Sequence, residues 1–153
     1  MFFHACTTAA LLALVPATLA ASQVSPSGSG RIDVYLFLAK EATGCLTDAG
    51  QWTTDTSQCA AVTANGDGGI NTGSGWLTVA DSTLTTSSAP NANWTGTLAS
   101  DEKNVKHLEV DVDGTEEGWM WHGYQIPEAT DSREISSKKK TNLHDLTLLF
   151  VPT

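Results

Sequence analysis

The densest chemistry in the chain lies between residues 107 and 117. His107, Glu109, Asp111 and Asp113 alternate along one run, and Glu116 and Glu117 follow. On a strand, that spacing puts the alternating side chains on one face. Two such carboxylates across a cleft would act as acid and base on a glycoside. Paired with His107, they would supply the acid–base set of ribonuclease chemistry. Asp111, Asp113 and a following Glu would offer oxygens to calcium. The run lacks, however, the third oxygen ligand that a helix-loop-helix calcium loop places before its glycine. The plainer account is the solvated face of a half-buried strand, which antiparallel sheets ordinarily show. No catalytic residue is therefore assigned.

Other signatures of chemistry are missing. His107, His122 and His144 match no compact metal-ligand spacing, so neither a metal nor a cofactor is expected. His122 and His144 sit in apolar runs, where a hydrogen-bonded structural histidine is usual. There is no Gly-x-Ser-x-Gly. The glycine-rich run from Asn65 to Gly75 lacks the Gly-Lys-Ser/Thr ending of a phosphate loop and reads as a flexible surface loop.

The tryptophans point to binding instead. Trp119 and Trp121 are two apart, so on a strand their rings share a face about 7 Å apart. Exposed, the pair would form a platform for a sugar ring or a partner surface; buried, it would be core. Trp52 lies in a polar loop and is expected to be exposed. Trp119, Trp121 and Trp52 are therefore the expected binding residues. Asn93-Trp94-Thr95 is a glycosylation sequon.

Most of these residues fall on runs with the period of strands. Ile32, Val34, Leu36 and Leu38 alternate with Asp33, Tyr35, Phe37 and Ala39, the pattern of a central strand. Short strands are also expected at residues 59–63, 76–80 and 93–98. Residues 105–112 alternate cleanly, with Leu108, Val110 and Val112 on one face. Asp113-Gly114 signals a turn, and residues 119–124 are expected to be the return strand. Residues 143–151 close the domain, and the first and last strands are expected to be neighbours. Frequent turn residues between six to eight short strands imply an all-β antiparallel sandwich or small barrel.

The N-terminus sets the compartment. A short apolar run from Ala9 to Val15 is followed by Pro16 and by small residues around Ala20 and Ser22, which reads as a signal peptide over residues 1–20. The run is shorter than the roughly 20 residues a membrane span needs. Residues 21–30, rich in Ser and Gly, read as a flexible leader, and residues 31–153 as a single β domain. Cys6 leaves with the signal, so Cys45 and Cys59 are expected to pair. With 8 basic and 17 acidic residues the net charge is −9. That balance excludes nucleic acid and anionic membrane surfaces. The one basic cluster, Lys138 to Lys140, reads as a solvated turn.

The signal, the Ser/Gly leader, the Val34-Tyr35 strand followed by one Cys pair, and the Thr/Gly/Ser-rich β pattern resemble the small secreted proteins of filamentous fungi. That resemblance implies an effector-like or surface protein. His107, Glu109, Arg133 and His144 match in type the His, Glu, Arg and His set of the small fungal ribonucleases, but the second disulfide of that family is absent. The expected protein is thus a secreted, non-enzymatic β domain that binds an extracellular protein or a cell-wall polysaccharide. A carbohydrate-binding module and a small secreted hydrolase are the alternatives.

Overall fold

The computed structural model describes residues 22–98, 104–112, 115–117, 120–138 and 141–153. The expected signal peptide, with Cys6, lies outside them. The chain opens with β1 (Gln23–Val24), β2 (Ser27–Leu36), β3 (Gly44–Leu46) and β4 (Trp52–Thr53). A single 3-10 turn, Thr56–Gln58, follows, capped by the Asp55 carboxylate, which accepts the Ser57 N–H at 2.9 Å. Next come β5 (Val62–Asn65), β6 (Ile70–Thr72), β7 (Gly75–Ala80), β8 (Thr83–Ser87) and β9 (Ala92–Leu98). The last third holds β10 (Val105–Val112), β11 (Thr115–Glu117), β12 (Trp121–Gly123), β13 (Ser132–Arg133), β14 (Ile135–Ser136) and β15 (His144–Pro152).

The fold is all-β and antiparallel, as expected. Eight strands close a barrel in the order β2, β5, β6, β7, β8, β14, β12, β15 and back to β2. The closing seam joins the first and last long strands, from Leu36 opposite Leu146 to Gly30 opposite Pro152. Directly opposed residues of antiparallel strands share a face. Ile32 and Val34 therefore point inward with Leu146, Leu148 and Phe150, all of them buried. The other face of the seam carries Arg31, Asp33 and Tyr35 opposite Val151, Leu149 and Thr147.

Both seam strands run on into a second layer. β3, β4 and β13 extend from β2, while β10, β9 and β1 extend from β15. Side chains from both layers meet in one hydrophobic core, which includes Trp52 from β4, Trp94 from β9 and Trp121 from β12. The Cys45–Cys59 disulfide forms and ties β3 to the segment after the 3-10 turn.

Several local expectations change. The Ser/Gly-rich run read as a flexible leader is paired: Ser27 to Gly30 bond with β5, and Gln23 and Val24 with β9. The glycine-rich run from Asn65 to Gly75 is a meander with β6 inside it. Its first reversal uses left-handed Gly66 and Gly68 (φ +82° and +89°), which a residue without Cβ adopts freely. The return strand after β10 is β11, since Thr115 pairs with Val112 and Glu117 with Val110. β12, expected in that role, pairs with β15 and β14 instead. Lys138 is exposed; Lys139 and Lys140 fall outside the described residues. Among the described residues no helix is long and apolar enough to cross a membrane.

Candidate functional site

A cleft of about 530 Å³ opens on the face of the β2–β15 seam that points away from the core. Its first wall is the end of β2 and the turn beyond, with Tyr35, Phe37, Leu38 and Lys40. Its second wall is the start of β10, with Lys106 and His107. Thr147, Leu148 and Leu149 of β15 lie between them. The floor is a strand paired on both sides, with Leu149 opposite Asp33 on one and Lys106 on the other.

Two backbone irregularities shape the walls. β2 ends at Leu36, and the chain turns outward through a hydrogen bond from the Ala39 N–H to the Leu36 carbonyl at 2.8 Å. Leu38 adopts φ +67°, a left-handed conformation that costs a side chain with Cβ about 1–2 kcal/mol. Its side chain is 85% exposed, and Phe37 is 40% exposed. On the facing wall β10 bulges, since Lys106 pairs with Thr97 while Glu109 pairs with Thr95. His107 sits in the bulge at φ +51°. The extra residue reverses the alternation, so Val105 and Leu108 both point inward while Lys106 and His107 both point outward.

The electrostatics divide by residue type. The Arg31 guanidinium holds Asp33 at 2.8 Å, and Arg133 holds Asp131 at 2.7 Å. Lys40 and Lys106 carry no ion pair among the described residues. Burial pushes the Tyr35 phenol up from its ordinary value, and the Asp33 carboxylate adds to that rise; Arg31 opposes it. The described lining includes no carboxylate, serine or cysteine.

The structure redistributes the residues singled out in the sequence. Trp52 and Trp121 are fully buried, so neither offers a ring to a ligand. Trp52 was expected in solvent, but the loop folds inward as β4 pairs between β3 and β13. Its ring packs against the flat faces of Gly44 and Gly123. Trp121 stacks on Trp94 and gives its indole N–H to the Leu108 carbonyl. Trp119 lies outside the described residues. Asn93 of the sequon is exposed on β9.

The acid–base readings are dispersed as well. The bulge separates His107, on the cleft, from Glu109, which accepts the Gln23 amide at 3.1 Å. Neither Glu109 nor Asp111 lines the cleft. Arg133 is on β13, which extends from β2, whereas His107 and Glu109 are on β10, which extends from β15. Of the four residues of the ribonuclease type, His107 alone is among the described residues lining the cleft. His122 is buried and hydrogen-bonded to Asp145 at 3.0 Å, the structural role expected of it, while His144 is exposed. Asp113 is outside the described residues, and among those described no group of three or more metal-ligating side chains occurs.

No protein-family model matches this chain, and no curated protein or solved structure matches it either.

The cleft was not legible as a site beforehand. Phe37 and Leu38 read as the continuation of a strand, since nothing in a leucine announces a left-handed turn. The one available signal was Gly96 within an otherwise strand-like run, because glycine inside a strand often marks a bulge or a close backbone approach.

Proposed function

We propose that the protein is a secreted, effector-like and non-enzymatic β domain that binds an extracellular partner, and that the cleft between β2, β10 and β15 is its binding site. One observation carries this reading. The cleft sets exposed apolar side chains, Phe37 and Leu38, beside a few polar groups on a floor of paired strands. Ligand sites are typically concave, mainly apolar and supplied with a small number of placed polar groups. The described lining holds no carboxylate, serine or cysteine, and its exposed apolar side chains support holding a ligand. The polysaccharide platform has less support, with two of its three tryptophans inside the core.

The test is a ¹H–¹⁵N NMR screen of the protein against a mixed library of small soluble fragments. Shifts clustered at Tyr35 to Lys40, Lys106, His107 and Thr147 to Leu149 are the expected result. Shifts confined to other surfaces, or none, would remove the cleft as the site.

A further inference from the structure

We propose that the ligand of this cleft is a small amphiphilic acid, its apolar body lying on Tyr35, Phe37 and Leu38 and its anionic head held by Lys40 and Lys106. The proposal rests on the cleft being the binding site.

The charges around the cleft favour an anion. The chain carries a net charge of −9, yet the described lining of the cleft holds two lysines and no carboxylate. Both described arginines are occupied by aspartates two residues away, whereas both lysines of the cleft lack an ion pair among the described residues. Asp33 shares its face with Tyr35 and Leu149, but Arg31 neutralises it. Asp145, opposite the backbone of Phe37, is engaged by His122. A local positive site on an acidic protein selects anions and repels cations.

The apolar wall favours a hydrophobic body. Leu38 is held in an unfavourable conformation and still faces water. Strained residues of this kind cluster at ligand-binding positions. An apolar chain laid against Phe37 and Leu38 would take both from water, which is the main driving force for such association. The volume agrees in scale: small-molecule sites run from roughly 300 to 1,000 Å³, and this cleft has about 530 Å³.

The experiment compares dodecanoate and dodecyltrimethylammonium, each below its micelle concentration, with dodecanol below its solubility limit, by calorimetry and by ¹H–¹⁵N NMR on the whole secreted chain. Dodecanoate is expected to bind at least about tenfold more tightly than the other two, a difference of about 1.4 kcal/mol, with shifts at Phe37, Leu38 and Lys106. In the K40E/K106E variant that preference should reverse toward the cation while dodecanol is unaffected. Should the double variant fail to fold, Lys40→Gln and Lys106→Gln singly should each weaken dodecanoate alone. Equal binding of acid and alcohol in the cleft would overturn the charge selection and leave the cleft as a binding site. Binding of the acid elsewhere would overturn the proposal, and silence of the cleft toward these probes and the fragment library would overturn both.

Discussion

Trp94 and Trp121 stack inside the protein with ring centroids 5.6 Å apart and planes 19° from parallel. Each indole N–H is satisfied by a backbone carbonyl, Trp94 by Leu77 at 2.9 Å and Trp121 by Leu108 at 2.8 Å. The two bonds cross between layers: Trp94 on β9 reaches a barrel strand, and Trp121 on a barrel strand reaches β10. The pair therefore fixes the outer layer to the barrel and, through Leu108, the strand that carries one wall of the cleft. Replacing either ring with alanine should cost about 3–5 kcal/mol, the range for large aromatic truncations in a core. Urea unfolding would measure it, and an unchanged midpoint in Trp121→Ala would contradict the packing.

The disulfide should act on the unfolded chain. Cys45 and Cys59 are 14 residues apart, and closing a loop of that size contributes about 3 kcal/mol in the chain-entropy model. The C45S/C59S variant should unfold at correspondingly lower urea with its cleft intact, because neither cysteine lines it. Retained NMR shifts at Phe37 and Lys106 in the folded variant would check the second half. Equal stability of the variant and the parent would argue against the bridge as a stabilising element.

What the sequence disclosed followed from side-chain periodicity. The β2–β15 seam was legible because both runs are long, apolar and alternating, and the limits of β10 at Val105 and Val112 were legible for the same reason. Turns and returns were less so. Residues 119–124 are aromatic and strand-prone, which draws the expected hairpin partner away from the polar Thr115–Glu117 that pairs with β10. In the Asn65–Gly75 run, the glycines that lower strand propensity are the residues that allow the reversal, so a meander looked like a loop. Trp52 was misplaced because a polar neighbourhood in sequence says little about which side chain folds under. The ring finds its pocket through Gly44 and the sequence-distant Gly123, where a Cβ would meet its atoms at 2.7 and 2.9 Å.

Alkaline stability should depend on Tyr35. Burial, then Asp33, raises its pKa in the folded protein, while in the unfolded chain it ionises near the ordinary value of about 10. Above that value the folded state keeps a proton that the unfolded state loses. Stability is thus fully present below about pH 10 and declines as pH rises through the folded pKa. Tyr35→Phe cannot ionise, so its urea midpoint should fall less between about pH 9 and about pH 11 than that of the parent. Parallel curves for the two proteins would show that Tyr35 is not responsible.

Gly96 should control the shape of the cleft without touching it. It lies on β9 opposite the bulge, between Thr95, which pairs with Glu109, and Thr97, which pairs with Lys106. A Cβ added there would sit 2.5 Å from the Lys106 carbonyl oxygen and 2.8 Å from a Val105 methyl. The oxygen belongs to the backbone, so no rotamer change can relieve the contact; β10 itself must move. Forcing extra atoms into packed structure typically costs about 1–3 kcal/mol, and Gly96→Ala should lose stability on that scale. The displacement falls on Lys106 and His107, so their amide resonances should shift, and binding of cleft ligands should weaken in the folded variant. A glycine needed only for strand flexibility would instead lower stability and leave both the Lys106 resonance and ligand affinity where they were.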